Sequence, residues 1–187
     1  LDIDLGQSLE PEIYKKIYNA LLVYKVIFFR NQNISTEEHL NFAKHFGELE
    51  IHPFAPHKEG FPEVLSITHN KKSRGRENTW HSDVTWMKPT GYVSILHAID
   101  LPDVGGDTAF SSTISAFEAL SDGMKKLLRT QKAVHAFHWR EKREVQPWFC
   151  EHPVVRINPK TKKEGLYINR MFTSRFCDMT AEESAPL

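Results

Sequence analysis

After Pro11, apolar side chains fall at Ile13, Ile17 and Leu21, with Tyr14 and Tyr18 beside them. That three-to-four-residue spacing predicts an amphipathic helix, and the apolar run 26–29 behind it predicts a buried strand. Ser35 followed by Glu38 makes a capping box ahead of Leu40, Phe42, Ala43 and Phe46, so a second helix is expected, with Gly47 able to end it in a left-handed conformation. Short β-prone segments follow at 64–68, 92–99, 132–138, 154–157 and 166–168, separated by Pro, Gly, Asn or charged turns. Helical pattern returns over 114–129 with a break at Ser121 and Gly123, and Thr180 with Glu183 forms a second capping box. Helices at the front and in the middle, with many short strands between, predict a mainly β fold with flanking helices, a β-sandwich or jelly roll. The polar, glycine-containing stretch 71–78 has no periodicity and reads as a mobile loop.

Composition narrows the function classes. A chain of 187 residues fits one domain over 1–187, and at that length a compact fold buries roughly 70% of the surface its unfolded chain exposes. The 24 basic and 24 acidic residues cancel, so no overall field recruits nucleic acid or an anionic membrane. No apolar run approaches the roughly 18 residues that span a bilayer, which leads us to expect a cytoplasmic protein with no membrane partner. Cys150 and Cys177 are too few for a disulfide framework and form no CxxC pair, so two free thiols are expected.

The candidate chemistry lies in Trp80-His81-Ser82-Asp83-Val84-Thr85-Trp86. Its alternation is that of a strand end, which would project His81 and Asp83 from one face and turn Ser82 away. Two histidines and one carboxylate on one face of an octahedral ion leave three positions open, the arrangement of non-haem Fe(II) oxygenases. His-x-Asp supplies two of those groups. Taken alone the pattern is weak, since His57-Lys58-Glu59 is a second histidine–carboxylate pair and a surface histidine beside an aspartate is common.

The flanking residues add weight. Phe46-Gly47-Glu48-Leu49 with His52-Pro53, the segment 80–86, Gly105-Gly106-Asp107-Thr108, His152-Pro153-Val154-Val155-Arg156, and Asn169 with Phe172-Thr173 together resemble the taurine dioxygenase and 2,4-dichlorophenoxyacetate dioxygenase family in order and separation. The resemblance implies a double-stranded β-helix (jelly roll), and Fe(II) and 2-oxoglutarate as cofactor and cosubstrate. It also implies hydroxylation of a small anionic substrate by dioxygen, with succinate and CO2 as products. It makes His81 and Asp83 iron ligands and Thr108 a hydroxyl donor to 2-oxoglutarate. It makes His52 an anion-binding donor for substrate, and Trp86 and Phe172 apolar walls of the substrate pocket. From the residues alone, Gly105-Gly106 reads first as a plain turn into a strand, and Phe172 almost as well as core. A homo-oligomer is compatible with the resemblance.

Departures from the family pattern bear on substrate. Ala55 stands where the taurine enzyme has a tyrosine, Glu77 or Asn78 where it has an asparagine, and Trp86 where it has a phenylalanine. Another sulfonate, a sulfate ester or an aryloxy acid is therefore open. The family's second histidine ligand and its 2-oxoglutarate arginine have no counterpart within these residues, which implies a chain lacking its C-terminal part. His97, His135 and His138 are substitutes for that ligand on paper, though each reads more simply as a sheet histidine. Two other functions stay open: a non-catalytic metal- or ligand-binding jelly roll, and a related dioxygenase of small-molecule biosynthesis.

Overall fold

The computed structural model describes residues 3–70, 78–137 and 148–187. His138 and the expected loop over 71–77, with Glu77, fall outside those residues. The chain divides into two compact units, one built from Leu1–Gly75 and Tyr92–Phe110, the other from Arg76–Gly91 and Ser111–Leu187.

In the first unit, helix α1 covers Pro11–Tyr24, with Pro11 in its first turn, where the missing N–H costs no intrahelical bond. Helix α2 covers Thr36–Ala43. Its capping box forms as expected: the Ser35 hydroxyl accepts from Glu38 N at 3.2 Å and Glu38 Oε2 accepts from Ser35 N at 2.6 Å. A 3-10 turn, Lys44–Phe46, continues α2 and stops at Gly47, whose φ of 145° and ψ of −170° are open to glycine but are not the left-handed helical cap the sequence suggested. Leu5, Ile17 and Phe42 form the core, flanked by Ile13, Tyr14, Ile27, Phe29, Phe46 and Ile95.

The strand expected over 26–29 is a correction. Ile27 and Phe29 point into the core and Phe28 is 64% exposed, a strand-like alternation, but the segment carries no ladder among the described residues. The same holds for 92–99, where Ile95 packs inward while Leu96 and Ile99 are exposed. Apolar alternation reports which side chains are buried, whereas a strand also needs a partner for its N–H and C=O groups. The expected strand 64–68 begins earlier, as β2 (Phe61–Leu65), antiparallel to the short β1 (His57–Lys58).

In the second unit the helical stretch divides at Ser121, as its pattern suggested, into α3 (Thr113–Glu118) and α4 (Asp122–Arg129). The Ser121 hydroxyl caps α4 by accepting from Met124 N. Arg129 at the far end clasps both carboxylate oxygens of Glu164 at 2.7 Å. Strands β3 (Lys132–Phe137), β4 (Trp148–Pro153) and β7 (Thr173–Phe176) form an antiparallel sheet in the order β4-β3-β7. β5 (Val155–Ile157) and β6 (Glu164–Leu166) make a separate hairpin. Gly165 sits where a Cβ would lie 3.1 Å from Thr113 Oγ1 and 3.3 Å from Ile114 Cγ1, so its lack of a side chain lets β6 approach α3. Leu128, Ala133, Val154 and Phe176 are the core here.

Helix α5 (Ala181–Ser184) carries the second expected capping box. It docks on β7 through the Ser184 hydroxyl, which accepts from Phe176 N at 3.0 Å and donates to Thr180 O at 2.8 Å. Among the described residues no helix is long and apolar enough to cross a membrane. Cys150 and Cys177 are free thiols.

Candidate metal centre

One face of the three-stranded sheet prepares the site. Along β3, His135 and Phe137 point to the same side; β4 sets Cys150 opposite His135, His152 opposite Ala133 and Trp148 opposite Phe137, so these side chains share that face. The polypeptide 80–86 is not the strand end expected from its alternation. His81 and Ser82 are irregular and Asp83 to Trp86 form a turn. Val84, a β-branched residue, takes a φ of 45° inside that turn, a conformation that costs on the order of 1–3 kcal/mol. Asp83 is left exposed while Thr85 and Trp86 are each 1% exposed. The strained residue thus separates exposed Asp83 from the buried half of the turn, Thr85 and Trp86, that anchors it.

His81 and Asp83 still converge. His81 Nε2 lies 3.3 Å from Asp83 Oδ1, with the side chains 26% and 54% exposed. His81 Nδ1 is 2.7 Å from Thr79 O; a carbonyl only accepts, so Nδ1 carries a proton and Nε2 is the nitrogen that faces the carboxylate. Metal–ligand bonds of about 2.0–2.2 Å meeting at a right angle place two donor atoms about 3 Å apart. The pair therefore has the spacing and donor chemistry of two adjacent ligands on one ion, with the carbonyl behind the histidine that commonly fixes a liganding ring. Among the described residues, no group of three or more His, Cys, Asp or Glu side chains is placed to hold a metal.

Phe172 stands beside this pair, its ring edge-on to His81 at 6.2 Å and 87° and tilted on Phe137 at 6.2 Å. A bulge in β7 helps aim it. The ladder pairs Val134 with Arg175 and then His135 with Thr173, skipping Ser174, and Ala136 N donates to Phe172 O at 2.8 Å. Bulges of this kind redirect the side chains next to them. Trp86 is different. It is 1% exposed and packed on Phe137 at 5.0 Å and Trp148 at 5.9 Å. Its place as a pocket wall is corrected: the inward half of the turn buries it, so it supports the site from behind and offers no surface to a ligand.

Beneath the turn lies a polar network that the sequence reasoning did not assemble. Thr85 Oγ1 meets His135 Nδ1 at 2.8 Å and accepts from Asn169 Nδ2 at 3.1 Å. Thr85 O accepts from His152 Nε2 at 2.9 Å and from the Cys150 thiol at 3.4 Å. Tyr167 stacks on His135 and stands edge-on to His152, and the Arg156 guanidinium lies 4.3 Å over the Tyr167 ring. Burial pushes the His135 pKa down to about 4, with His152 adding to the effect and the Tyr167 backbone opposing it. His152 is also lowered, chiefly by burial, and burial raises the Cys150 thiol. At neutral pH these groups are uncharged hydrogen-bonding partners. His135 is thereby a buried sheet histidine held through Nδ1 by Thr85, while its Nε2 is buried without a hydrogen-bond partner among the described residues. A signal for the network existed: Thr85 continues the His81, Asp83 alternation, and Asn169 precedes Phe172-Thr173 with the spacing of an Asx turn.

His52, Thr108 and His97 belong to the other unit. His52 Nδ1 accepts from Phe54 N at 3.2 Å and Ala55 N at 3.0 Å, which leaves Nε2 as the nitrogen that carries the proton. His57 Nε2 donates to His52 O at 2.7 Å, which binds the second histidine–carboxylate motif into the same loop. Gly105 and Gly106 adopt positive φ values of 85° and 75°, as a tight glycine turn requires, and Thr108 is exposed just beyond them. His97 lies edge-on to His39 at 5.9 Å. Asn78 is exposed.

Comparison with known proteins agrees with the motifs. The chain is 31% identical over 188 residues to an alkylsulfatase of Acinetobacter baylyi, covering 91% of this chain and 59% of that protein. It is 32% identical over 208 residues to an alpha-ketoglutarate-dependent sulfonate dioxygenase of Saccharomyces cerevisiae, covering 98% of this chain and 48% of that protein. The crystal structure of a taurine dioxygenase from Burkholderia xenovorans superposes with a TM-score of 0.84 at 33% identity, over 98% of this chain and 63% of that one. The chain thus spans about half to three fifths of the length of these curated relatives. The pattern that defines the taurine catabolism dioxygenase TauD, TfdA family matches residues 1–187, and the chain belongs to that family.

Proposed function

We propose that the full protein is an Fe(II)- and 2-oxoglutarate-dependent dioxygenase that hydroxylates a small organic anion, a sulfonate or a sulfate ester before an aryloxy acid. The observation that carries this reading is the 3.3 Å approach of His81 Nε2 to Asp83 Oδ1, with Nδ1 committed to Thr79 O. Residues 1–187 would form one jelly-roll dioxygenase domain, as the family match over the whole stretch supports. The names of the two relatives, a sulfonate dioxygenase and an alkylsulfatase, favour sulfur-containing anions.

His81 and Asp83 would hold the iron as two of its protein ligands, and bound Fe(II) with 2-oxoglutarate supplies the activation of dioxygen. The residues of this chain do the rest. The Thr108 hydroxyl donates to a carboxylate of 2-oxoglutarate. His52 Nε2–H donates to the substrate anion, with its Nδ1 held by two backbone N–H groups. Phe172, edge-on to His81, excludes water from the side of the metal pair, which matters because an uncoupled oxidant attacks the protein itself. In the net reaction a substrate C–H becomes C–OH with one oxygen atom of O2. The other oxygen enters the new carboxylate of succinate, and CO2 leaves. A hydroxyl beside a sulfonate or sulfate oxygen then collapses to an aldehyde with loss of sulfite or sulfate.

The test is succinate release by the full-length protein supplied with Fe(II), 2-oxoglutarate and dioxygen, against a panel of alkanesulfonates, alkyl sulfates and aryloxy acids. One sulfonate or sulfate ester should stimulate succinate formation and release sulfite or sulfate in equal amount. Stimulation by an aryloxy acid alone would overturn the sulfur assignment, and no stimulation by any of the panel would overturn the class of substrate.

A further inference from the structure

We infer that Asn169 is a positioning residue that couples the iron-ligand turn to the phenylalanine beside it, so that one amide side chain sets both. The inference rests on the reading of His81 and Asp83 as iron ligands. Every polar group of Asn169 is engaged. Its Oδ1 accepts from Met171 N at 3.1 Å and Phe172 N at 2.8 Å. Its backbone N donates to Thr173 Oγ1 at 2.9 Å, and its carbonyl accepts from Thr173 N at 3.1 Å. Its Nδ2 donates to Thr85 Oγ1 at 3.1 Å across 84 residues of sequence.

The first four bonds make a local turn, which an aspartate or serine could build as well. The fifth is what a turn does not need. It joins the 169–173 turn to the buried threonine two residues beyond Asp83, and the His135 ring, 0% exposed, holds the same hydroxyl from the other side. The Phe172 backbone is thereby fixed by the amide that also fixes Thr85. The ring that Phe172 carries meets His81, so the two ends of the amide reach the two sides of the metal pair. Movement of either turn would displace the ligands relative to the wall. Groups that orient metal ligands in this indirect way typically change metal affinity by about 10–100-fold when removed.

Asn169→Ser separates the two roles, since a serine keeps an acceptor for the turn and cannot reach Thr85. Thr85→Val removes the link from the other end, and Thr85→Ser restores the hydroxyl. In the full-length protein, anaerobic Fe(II) titration in the presence of 2-oxoglutarate reads the iron dissociation constant. The ratio of 2-oxoglutarate consumed to substrate oxidised reads coupling, and circular dichroism confirms folding. We expect Asn169→Ser and Thr85→Val each to weaken iron binding by about 10-fold or more and to raise the uncoupled fraction. The double variant should be no worse than the poorer single one, and Thr85→Ser should stay within about twofold of the unmodified protein. Folded variants with unchanged iron affinity and coupling would overturn the positioning role while leaving the functional reading intact, and so would effects that multiply in the double variant. An unmodified protein that binds no iron under these conditions would overturn the functional reading, and this role with it.

Discussion

His81→Ala is expected to abolish turnover and to weaken Fe(II) binding by at least about 100-fold, more than the removal of a group that merely orients a ligand. The same change should leave the metal-free fold nearly untouched. The His81 side chain is 26% exposed, and its contacts include the Nδ1 bond to Thr79 O, the approach to Asp83 and the edge of Phe172; substitutions at such positions usually shift stability by less than about 0.5 kcal/mol. The informative result is the divergence: a melting temperature in chelator that stays near that of the unmodified protein, and an iron affinity that collapses. Iron binding that survives the substitution would place the metal elsewhere.

Stability should fall steeply in mild acid, and His135 is the principal cause. Its folded pKa is depressed to about 4 by burial, against an ordinary value of 6.5. Above pH 6.5 the ring is neutral in both states and the stabilisation is fully present. As pH falls through 6.5 the unfolded chain takes up the proton first, so stability is lost between pH 6.5 and about 4. The full loss is roughly 3 kcal/mol, with the lowered His152 acting in the same direction. Urea unfolding of the metal-free protein at pH 7.5 and pH 5 measures it. His135→Gln, which keeps a hydrogen-bonding side chain without titrating, should flatten the difference; an equal pH dependence in that variant would show that another group is responsible.

Local signals in the sequence were strongest where one residue decides a structure. The capping boxes at Ser35 and Thr180 and the break at Ser121 appear where their side chains demanded them, because a cap is a bond between neighbours and needs nothing distant. The strand expectations at 26–29 and 92–99 failed for the opposite reason. Ile27, Phe29 and Ile95 are buried as their alternation implies, but burial is a property of one face and pairing a property of two chains. Strands β4 and β7 are silent in the sequence because Glu151, Pro153 and the run Thr-Ser-Arg carry little apolar alternation; their register comes from β3.

At the site, His81 and Asp83 were legible as a pair, yet they lie on irregular backbone that runs into the Asp83–Trp86 turn and not on a strand end. Trp86 was misplaced because an aromatic ring three residues past Asp83 reads equally as pocket wall or as anchor. Burial against Phe137 and Trp148 decides for the anchor. The Thr85, His135, His152 and Asn169 network joins residues 50 to 84 positions apart, so the local signals at Thr85 and Asn169 do not tell which distant residues they meet.

The measurement that bears most directly on the central claim is anaerobic addition of Fe(II) to the full-length protein with 2-oxoglutarate, followed in the visible spectrum. Chelation of the oxo acid to ferrous iron held by His81 and Asp83 should produce a weak charge-transfer band that saturates at one iron per chain and is missing when 2-oxoglutarate is left out. A folded protein that shows no such band with both components in excess would contradict the assignment of this pair as an iron site.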